Sequence, residues 1–193
     1  MKILNNYVKK SLVICIVIIF CVLSITGAYA TYFSGTLINR SNGFVTVWEH
    51  SSVSSNNYRS HFSDARNGWQ GIDFDKMAFI VSSADNEKYD KYYVGTTAVS
   101  GLFGLTDPRK KNILGQLVVA QPNDDWYHSL VTIYDNQIVS YGLTEDRSTL
   151  TTHEVGHEIK MAHAPSTKVS IMREHDWSQR ISDYDIQEFN AKW

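Results

Sequence analysis

The run His153-Glu154-Val155-Gly156-His157-Glu158-Ile159-Lys160-Met161-Ala162-His163 constrains this chain more than any other stretch. His153 and His157 are four residues apart, so on a helix their imidazoles leave the same face one turn apart. Two neutral imidazoles so placed hold one zinc ion at about 2.0–2.1 Å each. Glu154, displaced around the helix, faces the open side of such an ion as a general base. A shuffled chain of this composition shows H-E-x-x-H about once in a hundred trials, so a merely solvated helix is the weaker reading. On a continuing helix His163 lies about a turn and a half beyond His157 and on another face. To reach the same ion, the chain must leave the helix and double back. Three protein ligands leave one tetrahedral position for water, which separates a catalytic zinc from a closed structural one.

With His163 included, the run resembles the signature of the metzincins, and within them the matrixin-like secreted metalloproteases: H-E-x-x-H-x-x-G-x-x-H followed by a Met-turn. The resemblance implies an α+β, metzincin-like catalytic domain. Its parts are a twisted mixed β-sheet with two long helices, and a zinc helix followed by the Met-turn and a C-terminal helix. It implies His153, His157 and His163 as metal ligands and Glu154 as the catalytic residue. Met172, the only Met beyond His163, takes the Met-turn place, an apolar floor under the ligands rather than a ligand. The chain departs from the pattern twice. Lys160 stands where the family has the glycine that ends the helix in a left-handed turn. Such a Lys costs about 1–2 kcal/mol, with its ammonium expected in solvent. Arg173-Glu174 follows Met172 where matrixins commonly have Tyr-Pro, so specificity does not carry over.

The start of the chain reads differently. Lys2, Lys9 and Lys10, the apolar run Ser11 to Ile25 and Ala28-Tyr29-Ala30 match a secretory signal peptide cut after Ala30, or a membrane anchor if uncut. Removing residues 1–30 takes away three lysines and no acid, which moves the formal net charge from −2 to −5. Both cysteines, Cys15 and Cys21, go with it, so no disulfide supports the remainder. Without a basic face, nucleic acid is not an expected partner. The expected organisation is a signal peptide (1–30), a short lead-in (31–41) and one catalytic domain (42–193), a monomer outside the membrane.

Along that domain, Phe44 to Trp48 reads as a strand. Tyr58, Phe62, Ala65 and Trp69 form one helical face, with Ser54, Ser55 or Asn56 as N-cap. Met77 to Ser82, Tyr92 to Val99, Ile113 to Ala120 and Leu130 to Tyr134 read as strands. Gly101, Gly104 and Asp107-Pro108 read as breaks, and Arg109 to Lys111 as a solvated turn. The acidic turn Asp85 to Asp90 and His128 are expected at the surface. A helix from Arg147 to Met161 precedes one from Ser182, where Ser182 and Asp185 match a capping box.

The expected activity is endopeptidase hydrolysis of a polypeptide, with one zinc-activated water and Glu154 as base. By resemblance, Leu130 to Tyr134 is the strand beside which substrate lies. Nothing in the acidic spacing speaks for calcium. Two alternatives stand beside this reading. One is a gluzincin-type peptidase with Glu174 or Glu188 as third ligand. The other is a secreted binding or toxin-like protein that keeps the fold with little turnover.

Overall fold

The computed structural model describes residues 31–40, 43–174, 176, 177 and 180–193. The expected signal peptide, with Cys15 and Cys21, lies outside the described residues. The elements in chain order are β1 (Phe44–Glu49), α1 (Ser51–Ser55), α2 (Arg59–Gln70), five successive strands, β2 (Ala78–Ser82), β3 (Asp90–Gly95), β4 (Gly104–Lys111), β5 (Leu117–Val119) and β6 (His128–Tyr134), and then α3 (Asp135–Ser140), α4 (Arg147–Glu158) and α5 (Asp183–Lys192). The sheet order is β2-β1-β3-β6-β4-β5. The first four run parallel, while β4 is antiparallel to both β6 and β5. The fold is α+β with a mixed sheet, as expected.

Helices α2 and α4 pack on each other and supply the layer over the sheet. Phe62 and Trp69 of α2 are buried with Val45 and Val47 of β1, Val131 and Ile133 of β6, and Val155 of α4. Phe62 stacks on Tyr92 of β3 with ring centroids 4.4 Å apart. The Trp69 indole donates to the Thr152 carbonyl at 2.9 Å, which ties α2 to the turn of α4 that begins the histidine run. Tyr58, not one of the three expected polar residues, occupies the N-cap of α2, because His50 caps a separate short helix before it.

β4 departs furthest from expectation. Ile113 and Leu114 lie in an exposed turn, and only Leu117–Val119 of the expected strand Ile113 to Ala120 is extended. The eight-residue strand is instead Gly104–Lys111, through Asp107-Pro108 and the basic trio. Pro108 fits because its carbonyl, and hence by the pleat its nitrogen, faces the β5 side, where Ala120 N donates to it at 2.8 Å. The basic residues are paired rather than merely solvated: Arg109 with Asp107, Lys110 with Asp124 at 2.7 Å and Lys111 with Glu87 at 3.0 Å. Leu130 to Tyr134, expected to lie beside the substrate, is enclosed between β3 and β4. His128 and Asp90 are buried, not superficial. His128 Nδ1 meets the Glu87 carbonyl, and Asp90 Oδ1 accepts from Ser129 N at 2.5 Å.

The expected lead-in is packed into the domain. Tyr32 pairs with Met161 and Leu37 with Trp126 as isolated bridges, and Thr31 N donates to Glu188 of α5 at 2.8 Å. At the chain's other end, α5 carries the expected capping box: Ser182 and Asp185 satisfy each other's backbone N–H groups.

Candidate metal centre

Helix α4 ends at Glu158, three residues short of the expected boundary, and Lys160 then takes φ +70°. That left-handed residue reverses the chain, so His163 returns toward the ring of His157 instead of continuing along the helix axis. His157 Nε2 lies 3.1 Å from His153 Nε2 and 3.1 Å from His163 Nε2. Four tetrahedral ligands about 2.0–2.1 Å from one ion are about 3.3–3.4 Å apart, so this spacing suits a shared cation. The structure therefore brings together all three histidines that the sequence singles out.

The other ring nitrogens are fixed by the backbone. His153 Nδ1 lies 2.8 Å from the Ile171 carbonyl, and His157 Nδ1 lies 2.8 Å from the Met161 carbonyl. A carbonyl accepts only, so each Nδ1 carries the proton and each Nε2 turns its lone pair inward. Burial, together with the neighbouring His153 and His163, holds the pKa of His157 well below the usual histidine range. Its ring is neutral, as a metal ligand must be.

Ile171, whose carbonyl orients His153, is itself held from α5. The buried carboxylate of Asp185 accepts from Ile171 N at 3.0 Å, from Ser182 N at 2.8 Å and from the Ser170 hydroxyl. The sequence announces Asp185 only as a helix cap, because its link to the ligand segment spans a tertiary contact. Met172 follows, 1% exposed, with its sulfur directly against Gly156 on the underside of α4. A Cβ at position 156 would collide with that sulfur and with Trp69 Cζ2. Met172 thus lies beneath the helix turn shared by the first two histidines.

Glu154 is also buried, at 9% exposure. Burial pushes its carboxyl up to about 7, opposed by a hydrogen bond from the Thr106 hydroxyl at 3.0 Å. A cation held by the three imidazoles would pull it back down. Gly104 makes room for this side chain, since a Cβ there would lie 2.5 Å from Glu154 Cγ. Gly104→Ala is therefore expected to displace the carboxylate while leaving the three imidazoles in place, so that metal affinity is unchanged and any turnover that depends on Glu154 falls about 100-fold. Steady-state kinetics and metal analysis on the same preparation check this. Gly104 and Thr106 escape sequence reading because the β4 segment reads as a break.

Lys160 departs from expectation in its side chain. Its ammonium is enclosed, donating to the Pro122 carbonyl at 3.2 Å and the Asp124 carbonyl at 2.7 Å, 3.9 Å from the Trp126 ring centroid. The physical reason is reach: a left-handed residue at this corner aims its four-carbon stem at the Pro122–Trp126 loop, whose carbonyls satisfy the charge. Burial lowers its pKa from 10.5 to about 8. The unfolded chain then binds more protons than the folded one between these values, so stability rises with pH across that window. Relative to Lys160→Met, the wild-type protein is expected to gain about 1–3 kcal/mol between pH 8 and 10.5. Denaturant unfolding at both pH values checks it, and a constant difference contradicts it.

Of the alternative third ligands, Glu188 is engaged with Thr31 N at 2.8 Å. Glu174 Oε2 lies 4.0 Å from His163 Nδ1, the ring nitrogen opposite the one near His157.

Neither a protein-family profile nor a curated protein sequence matches the chain. Among solved structures it is similar to high choriolytic enzyme 1, a hatching enzyme zinc-protease from the medaka fish Oryzias latipes. The identity is 12%, the match covers 86% of this chain and 96% of that one, and the TM-score is 0.45.

Proposed function

We propose that this protein is a zinc-dependent endopeptidase, metzincin-like and specifically matrixin-like, exported from the cell after cleavage of its signal peptide. The observation that carries the reading is the convergence of three Nε2 atoms, two of them on rings whose Nδ1 faces a backbone carbonyl. That donor set fits a single zinc ion with a position left for solvent. Zinc bound there supplies a Lewis acid for the scissile carbonyl and lowers the pKa of water toward neutrality.

The chain's own residues do the rest. Thr106 orients the Glu154 carboxylate, which accepts a proton from the attacking water. As the new C–O bond forms and the C–N bond breaks, Glu154 delivers that proton to the departing amine. Substrate lies along β4 rather than β6, because β5 covers β4 only from Arg109 to Lys111. The Pro108 carbonyl faces the β5 side, and by the two-residue period the backbone groups of Thr106 and Gly104 face the same open lane. Among the described residues no helix is long and apolar enough to cross a membrane.

Incubation of the purified 31–193 protein with casein tests the reading. Cleavage that stops with a chelator and returns with added zinc is the expected result. Zinc bound at one equivalent without cleavage of casein or of a peptide library would favour the binding-protein alternative.

A further inference from the structure

A cavity of about 390 Å³ opens directly off the candidate metal centre. Its polar groups, the Glu154 carboxylate, the His157 and His163 rings and the Thr106 hydroxyl, belong to the site already described. Beyond them the wall is apolar: Phe33, Leu105, Pro108, Ala120 and Trp126. Phe33 comes from the N-terminal segment and stacks on His157, with ring centroids 6.5 Å apart and planes at 24°. It also meets Trp126, with centroids 6.0 Å apart and planes at 48°. Trp126 is held in turn, its indole N–H donating to the Gln121 carbonyl at 3.0 Å.

Among the described residues that line this recess none is a Lys or an Arg. The nearby ammonium of Lys160 is spent on the Pro122 and Asp124 carbonyls, and Lys160 does not line the cavity. An acidic side chain seated against the apolar wall, away from the metal position, would lose its hydration and meet only apolar carbon. A large apolar side chain loses nothing of the kind and gains in proportion to the apolar surface it buries.

Strand direction decides which part of a substrate arrives here. β4 runs from Gly104, beside Glu154, to Pro108, beside the apolar wall. A segment in the lane of β5 adds antiparallel, as β5 itself does. Its N-terminal residues therefore lie at the Pro108 end and its C-terminal residues at the Gly104 end. The hydrogen bond from Ala120 N to the Pro108 carbonyl closes the lane just beyond the cavity, so the chain must lift away there.

Resting on the zinc-peptidase reading, we infer that this cavity is the subsite for one bulky apolar side chain on the N-terminal side of the cleaved bond. Phe33 is its specificity-determining wall. The consequence is selection of substrates by a Phe, Leu, Met or Trp at one fixed position before the cut.

The test is a position-resolved cleavage profile of a peptide library by the zinc-loaded wild type, Phe33→Ala and Leu105→Glu proteins. Leu105 is 44% exposed, so its variant keeps the fold. The wild type is expected to favour large apolar over acidic residues at that position by at least about tenfold. Phe33→Ala should raise KM for the bulky peptide about tenfold more than it raises KM for the Ala-substituted peptide. Leu105→Glu should turn the preference toward Lys and Arg. A flat wild-type profile before the cut, or equal losses on both peptides, overturns the subsite while leaving the peptidase intact. Absence of any cleavage overturns the peptidase reading. In that event calorimetry of the same peptides on zinc-loaded Glu154→Gln still decides the cavity, since equal Kd values for the Phe and Asp peptides would refute it.

Discussion

Glu154→Gln protein is expected to bind zinc as tightly as wild type and to lose about 10²–10⁴-fold in kcat. The substitution keeps size and shape, and the amide oxygen still accepts the Thr106 hydroxyl now 3.0 Å from Glu154 Oε2. What it removes is the capacity to take a proton from water and return it to the amine. No metal ligand is lost, because the cluster that converges is His153, His157 and His163. Metal analysis after dialysis and casein or peptide turnover separate the two quantities. Near-normal turnover would strip Glu154 of its role, and loss of zinc would mean that the carboxylate is a ligand.

The second large effect is expected from His163→Ala. His163 is exposed and follows the helix, so its removal costs little packing. It does reduce the imidazoles around one point from three to two, since His163 Nε2 is 3.1 Å from His157 Nε2. Loss of a partner that only orients a ligand already costs about 10–100-fold in metal affinity, and loss of the ligand itself exceeds that. The variant should therefore keep the wild-type melting behaviour of the zinc-free protein, fail to retain zinc on dialysis and show no chelator-sensitive cleavage. Tight zinc binding by His163→Ala would favour a carboxylate third ligand such as Glu174, whose Oε2 lies 4.0 Å from His163 Nδ1.

The long helices α2, α4 and α5 were legible because their signals are local, whereas the short α1 and α3 were not. The aromatic face of α2, the histidine run of α4 and the Ser182–Asp185 box of α5 each repeat within one or two turns, where side-chain spacing reports on conformation directly. β1 and the central part of β6 were legible for the same reason. β4 was not: Gly104 to Lys111 is poor in β-formers and holds Asp107-Pro108, and it is extended because β6 pairs along its length. Which strand borders the cleft was illegible as well. An interior strand and an edge strand of similar composition differ only in what lies beside them.

The sequence by itself determined the chemistry on offer: two imidazoles and a carboxylate in helical register, a third imidazole within reach of a reversal, and a methionine downstream. Tertiary structure alone decided how these are used. It reversed the chain at Lys160 and buried that ammonium against Trp126. It also set Asp185 behind the residue that orients His153 and laid Phe33 over His157. Ligand spacing is a property of a few consecutive residues, whereas each of these contacts joins segments far apart in the chain. Such contacts exist only once the sheet and helices have packed, so no window of sequence carries them.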